Sequence, residues 1–246
     1  MTKFNRQRAD RLLVERGLFE SRAKAQAAIE AGLVSANDTL VRKPSDEIAV
    51  DAALRARAAH PYVSRGGVKL AAALDHFHFD PKGRVCLDMG ASTGGFTQVL
   101  LERGARLVYA VDVGRGQLHE SLRERPDVVS FEQTDIRACS PARFRATPGL
   151  LTVDVSFISL KLVLPAAVKL LGHRAHLVAL IKPQFEVGPK QVKKGIVRDE
   201  AVHKAVCDDI AAFVTGLGWR VNGVIPSPIA GGDGNAEFLL GAERGD

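Results

Sequence analysis

The chain has only three cysteines, Cys86, Cys139 and Cys207, and no two form a Cys-x-x-Cys pair. That spacing argues against a disulfide framework and against a structural zinc, so no metal is expected and a reducing cytoplasm suits the chain. A long hydrophobic run is missing too. The most apolar region, Leu150 to Leu171, is broken by Asp154, Lys161, Pro165 and Lys169, too often for it to span a bilayer. Residues 1–10 carry charges with no apolar stretch behind them, which predicts no secretory signal.

What is present points to a globular chain with an acidic partner. With 246 residues, 46% of them hydrophobic, there is material for one medium α/β domain and a small appendage. Lys and Arg number 34 against 28 Asp and Glu, a net charge of +6, which favours nucleic acid as a partner without requiring it.

The most informative run is Val85-Cys-Leu-Asp-Met-Gly-Ala-Ser-Thr-Gly-Gly-Phe96. A buried strand there passes through an acidic residue and a Gly-rich turn into a helix, whose first N–H groups are unpaired and whose glycines admit a ligand close to the backbone. About twenty residues on, Leu107-Val-Tyr-Ala-Val-Asp112 reads as a second strand ending in a carboxylate placed to grip a ribose. The spacing departs from G-x-G-x-x-G and suits an S-adenosylmethionine pocket better than a dinucleotide one.

Residues 8–31 read as two short helices stopped by Gly17 and Gly32, with Ser21 as N-cap of the second. Short strands are expected at 33–35, 39–41 and 48–50, and a linker over Ala52–Pro61. From Ser64 onward helices (67–77, 95–103, 117–125, 160–171, 200–217) alternate with strands (85–89, 107–112, 128–131, 150–155, 176–181), and the hairpin 219–225/236–241 closes the chain. The pattern describes an α/β fold with a mostly parallel sheet and one antiparallel strand, the ending of Rossmann-like methyltransferases. The expected domains are residues 1–60 and 61–246.

Arg8-Ala-Asp-Arg-Leu-Leu and the residues that follow to Val34 closely resemble an S4 RNA-binding domain. The remainder resembles the TlyA family through Ser64-Arg-Gly-Gly-Val-Lys69, the Gly-rich turn, Asp112-Val-Gly114, Asp154-Val-Ser-Phe-Ile-Ser-Leu160 and Lys182-Pro-Gln-Phe-Glu-Val-Gly188. That family comprises ribosomal RNA 2′-O-methyltransferases with an FtsJ-type catalytic domain, often labelled hemolysin A. The resemblance implies S-adenosylmethionine as cofactor and ribosomal RNA or a ribosomal subunit as partner, with no membrane and no obligate protein partner.

It also implies a catalytic tetrad of Lys69, Asp154, Lys182 and Glu237. A ribose hydroxyl is a weak nucleophile and needs a base or a stabilising cation. Lys182 is assigned as the base and Lys69 as the neighbouring cation, with Asp154 orienting Lys182 and Glu237 balancing Lys69. Independently of the family, Asp112, Asp154 and Lys182 fall at the carboxyl ends of expected parallel strands, where open α/β sheets bind ligands. Asp88, Gly90, Ser92, Thr93, Gly94, Asp112 and Asp135 are the expected cofactor residues. An Asn-Pro-Pro-aromatic motif for amine methylation is absent, and so is a Pro-Cys or Thr-Cys nucleophile for carbon-5 transfer. One departure stands out: Arg115 follows Asp-Val-Gly where the family often has an aromatic residue.

Arg8, Arg11, Arg22 and Lys24 are the candidate RNA contacts of the small domain, and Lys190, Lys193 and Lys194 form a second basic cluster. Two other readings are a catalytically inactive RNA- or ribosome-binding protein and, with less support, a membrane-active one. The tetrad argues against the first, and the lack of a spanning or long amphipathic segment against the second.

Overall fold

The computed structural model describes residues 5–188 and 191–245, and the chain divides into two compact units, Met1–Arg65 and Gly66–Asp246. In the first, strand β1 (Arg6–Arg8) leads directly into helix α1 (Ala9–Glu15), and α2 (Arg22–Glu30) follows. Ala9, Leu13, Ala25, Ala28 and Ile29 are buried together, because their spacing gives each helix one apolar stripe. The Ser21 hydroxyl caps α2, accepting the Lys24 N–H at 3.3 Å. Strands β2 (Val34–Ala36), β3 (Thr39–Leu40), β4 (Glu47–Ala49) and β5 (Leu54–Ala56) form a three-stranded sheet, β3-β2-β5, and a β1-β4 ladder. The β2-β3 hairpin turns on Asn37 and Asp38 at φ 48° and 61°, a geometry these two residue types tolerate.

The stretch Ala52–Pro61 is not all linker, since β5 pairs antiparallel with β2. Leu54 and Ala56 pack against the small core while Arg55 between them is exposed. Three residues are too few for alternation to stand out in a sequence.

The second unit runs α3 (Gly66–Phe77), β6 (Val85–Met89), α4 (Gly95–Glu102), β7 (Leu107–Val111), α5 (Glu120–Arg123), β8 (Val128–Phe131), β9 (Leu150–Val153) and α6 (Leu160–Ala167). It continues through β10 (Ala175–Ile181), α7 (Pro183–Glu186), α8 (Glu200–Gly216), β11 (Arg220–Pro226) and β12 (Phe238–Arg244). The seven strands lie in the order β11-β12-β10-β9-β6-β7-β8, and β12 alone among them runs against its neighbours. Strands β6, β7 and β9 are buried along their whole length, covered on both faces, and therefore read as continuous apolar runs. This is the mostly parallel Rossmann-like sheet that the alternation of helices and strands implies.

Two helices are shorter than expected. The His119 N–H goes to the Thr93 carbonyl at 3.2 Å and its side chain caps α5, so that helix begins at Glu120 rather than at Gln117. Helix α6, which contains Pro165, ends at Ala167 and tightens into a 3-10 turn over Val168–Leu170, a common way for a helix to finish.

Candidate active site

The chain winds outward from β6 through β7 to β8, then returns to β9 and β10 on the other side of β6. Such a reversal opens a crevice beyond the carboxyl ends of the strands. Gly90 follows β6, Asp112 follows β7, Asp154 follows β9 and Lys182 follows β10. Strand β12 enters from the opposite direction, so Glu237, just before it, reaches the same edge. The register makes this explicit: Met89 pairs with Val153, and Ile181 with Phe238.

A cavity of about 490 Å³ lies at this edge, and Gly90, Ser92, Asp112, Asp135, Asp154 and Phe157 are among its walls. Gly90 sits at φ +83°, and a Cβ there would run into the Asp154 carbonyl, so a bare backbone is required. The Asp112 carboxylate is fixed between two loops. It accepts the Ser92 N–H at 2.8 Å on one oxygen and the Gly114 N–H at 2.7 Å on the other. Asp135 is tied to Arg137 at 2.6 Å, and hydrogen bonds from that side chain and backbone hold its carboxyl below the usual range.

Asp88, Thr93 and Gly94 do not line the cavity. Gly94 opens α4 and lies against the side chains of Leu118 and Leu122. Asp88 is wholly buried, accepting the Thr97 hydroxyl at 2.7 Å and the Thr152 hydroxyl at 3.0 Å. Burial pushes its carboxyl up to about 7, and the two hydroxyls only partly offset that. Arg115 is exposed and also stands outside the cavity wall.

The four residues of the expected tetrad meet as two ion pairs. Lys182 Nζ lies 2.6 Å from Asp154 Oδ1 and donates to Ser156 Oγ at 2.9 Å. Lys69, on the first turns of α3, pairs with Glu237, and both side chains are nearly inaccessible. Glu237 is seated against Gly231, where any side chain would collide with its carboxylate. Burying such charges is tolerable only when they are paired.

Several neighbours were not singled out from the sequence. Ser156 holds Lys182, and its position inside Asp154-Val-Ser-Phe157 was the available signal. Phe157 is 91% exposed at φ +63°, with its ring 4.9 Å from that of Phe185. Glu186, the last residue of α7, ties that helix to the start of α6, accepting the Ser159 hydroxyl at 2.5 Å and the Leu160 N–H at 2.8 Å. Buried Asn235 donates to the Gly195 carbonyl at 3.0 Å. Nothing in the pattern of residues distinguishes Glu186 or Asn235, because each matters through a partner distant in sequence.

In the first unit the arginines are organised by a residue that sequence reasoning passed over. Asp10 is completely buried and contacts Arg8 at 3.0 Å, Arg22 at 2.7 Å and Gln26 at 2.8 Å. Hydrogen bonds from Arg8 first, then from Arg22 and Gln26, hold its carboxyl well below the usual range despite burial. Lys24 pairs with Glu20 at 2.6 Å, and Arg11 is exposed. In the second unit Lys193 and Lys194 are exposed on a tight turn closed by the Lys193–Ile196 bridge. Lys190 lies outside the described residues.

Comparison with known proteins adds the following. The family model of FtsJ-like methyltransferases matches residues 62–244, and that of the S4 domain matches residues 7–53. The "Putative rRNA methyltransferase YqxC" of Bacillus subtilis is 48% identical over 239 residues, 96% of this chain and 85% of that protein. The "16S/23S rRNA (cytidine-2′-O)-methyltransferase TlyA" of Mycobacterium tuberculosis is 44% identical over 238 residues, 96% of this chain and 89% of that protein. A solved structure titled "Putative hemolysin from Streptococcus thermophilus" is 44% identical and superposes with a TM-score of 0.78, covering 99% of this chain and 90% of that one.

Proposed function

Because the chain belongs to the TlyA family of FtsJ-like methyltransferases, we propose that it methylates a ribose 2′-hydroxyl of ribosomal RNA, using S-adenosylmethionine and docking through its S4 domain. The observation that carries this reading is the meeting, at one edge of the sheet, of the buried Lys69–Glu237 pair, the partly exposed Lys182–Asp154 pair and a cavity that Asp154 helps to line.

The residues present fit the cofactor. Ligand cavities commonly span about 300–1,000 Å³, and the bare backbone at Gly90 leaves room for close approach. Each Asp112 oxygen already accepts one backbone N–H and keeps capacity for a ribose hydroxyl. Asp135, on the same wall, is suited to the adenine side. Bound there, S-adenosylmethionine supplies a sulfonium methyl group open to attack by an oxygen nucleophile.

The protein's part is to prepare that oxygen. Lys182 Nζ, located by Ser156 and Asp154, acts as the base once it has released its own proton to solvent: the amine's lone pair then takes the proton of the 2′-hydroxyl. The ammonium so formed is neutralised by Asp154. Lys69, fixed by Glu237, contributes a positive charge to stabilise the developing alkoxide. The RNA is held by the cationic face of the S4 unit, through Arg8, Arg11, Arg22 and Lys24, and near the site by Lys193 and Lys194.

A purely RNA-binding role would leave the buried Lys69–Glu237 pair, costly to desolvate, without a purpose. A membrane-lytic role gains no support from the helices: among the described residues none is long and apolar enough to cross a membrane. The test is transfer of radiolabelled methyl groups to unmodified ribosomal RNA, with the modified position mapped. Cytidines come first, given the name of the mycobacterial relative. An RNA identical except for a 2′-deoxy sugar at that position is expected to bind and to accept no methyl. Undiminished transfer to the deoxy RNA would place the chemistry on a base and overturn the 2′-O reading.

A further inference from the structure

We infer that Asp10 is a positioning residue that turns Arg8 and Arg22 into a single preorganised phosphate grip. The inference rests on the reading of the first unit as an RNA-binding domain and adds to it a carboxylate on which RNA affinity depends. Arg8 reaches Asp10 through Nε and Nη2, both at 3.0 Å, and Arg22 uses the same two atoms at 3.2 and 2.7 Å. A guanidinium carries five N–H donors. Each arginine therefore spends one edge of its fork on Asp10 and keeps both Nη1 hydrogens and one on Nη2. The carboxylate is sealed from solvent, whereas the arginine side chains are 40% and 49% exposed. The unspent donors belong to the partly exposed side chains, and the anion that assembles them is hidden from an approaching polyanion.

Without that anion, two guanidiniums so close would repel each other and each would recover its side-chain freedom. Gln26, donating to the same carboxylate oxygen at 2.8 Å, locks it from α2. The arrangement suits bidentate recognition of phosphate by arginine, which lysine cannot reproduce because its ammonium lacks the fork.

The inference makes a prediction opposite in sign to simple charge counting. Removing a negative charge from a basic face should tighten RNA binding. If Asp10 organises the grip, Asp10→Asn should weaken it instead. In filter binding of the full chain to 16S and 23S ribosomal RNA transcribed in vitro, the affinity of Asp10→Asn is expected to fall by about three- to tenfold. The slope of log affinity against log salt should become shallower by up to about two, roughly one for each phosphate no longer held. S-adenosylmethionine affinity, measured by calorimetry, should be unchanged. Equal or tighter RNA binding by folded Asp10→Asn overturns the inference.

If circular dichroism shows that Asp10→Asn unfolds the first unit, Arg22→Lys decides, since it keeps both the charge and Asp10. A loss of about threefold or more supports the grip, and unchanged affinity overturns it. The double variant Arg8→Ala/Arg22→Ala separates the two levels of argument. If it binds RNA like the parent, the assignment of these arginines as RNA contacts has failed, whatever Asp10 does.

Discussion

The two units handle buried charge in opposite ways. In the first, the anion is hidden and the cations are partly exposed: Asp10 is sealed while Arg8 and Arg22 reach solvent. In the second, the cations are themselves withdrawn: Lys69 and Lys182 sit beside Glu237 and Asp154 with little exposure. The proposed function gives the difference a reason. Gripping a phosphate needs a charge that never leaves, in a rigid fork available to solvent, which is arginine's chemistry. Moving a proton needs a nitrogen that can give it up, which is lysine's chemistry.

The largest expected effect tests that contrast on the lysine side. Lys182→Ala should lower methyl transfer by about 10²–10⁴-fold, the usual weight of a general base, with RNA and S-adenosylmethionine binding retained. Lys182→Arg should fail as badly, because a guanidinium keeps its proton. Single-turnover transfer assays with parallel binding measurements check both, and an active Lys182→Arg would break the comparison. A smaller effect is expected on the arginine side. Changing Arg8, Arg11, Arg22 and Lys24 together to Ala should flatten the salt dependence of RNA binding by up to about four in log–log slope. S-adenosylmethionine affinity should barely move in calorimetry, and equal loss of both in a folded variant would erase the division of labour.

The smallest effect concerns pH, where the buried carboxylates of the two units diverge. Asp88 is pushed up to about 7, so between about pH 4 and 7 the folded chain holds a proton that the unfolded chain has released. The stability of the second unit should therefore fall as pH rises through that window, by at most about 1.4 kcal/mol per pH unit, and level off above it. Asp10 is depressed, so its contribution is present above about pH 4 and disappears as pH falls further. Urea unfolding at pH 5 and pH 8 should show the Asp88 slope in the parent and a flatter one in Asp88→Asn. An equal slope in that variant would assign the titration to another group.

Much of the second unit was legible in the residues. Val85–Met89 and Leu107–Val111 are apolar throughout because both sheet faces are covered, and the carboxylate after β7 marks the strand's end. The same logic did not separate Asp88 from Asp112. Both are acids at the top of a strand, yet Asp88 is still inside β6, buried under Thr97 and Thr152, and Asp112 is one residue beyond β7 at the cavity. Asp88 pairs with Ala110, two residues short of Asp112, and that difference of two positions decides which carboxylate reaches the cavity. In the first unit, Arg8-Ala-Asp-Arg11 reads as a solvated charged face, because the burial of Asp10 depends on α2 closing over it with Arg22 and Gln26.

Sequence by itself determined the order of elements, the parallel core and the presence of lysines and carboxylates at strand ends, since periodicity, turn residues and apolar runs are local properties of the chain. Only the tertiary structure decided the pairing. Lys69 and Glu237 are separated by 168 positions, and they meet because α3 packs beside β12, which runs against the rest of the sheet and delivers Glu237 to the edge where Asp154 and Lys182 stand. A charge's partner, and so whether it is a surface ornament, a clamp or part of a reacting site, is fixed by desolvation and close approach across the fold. Those quantities have no counterpart along the chain.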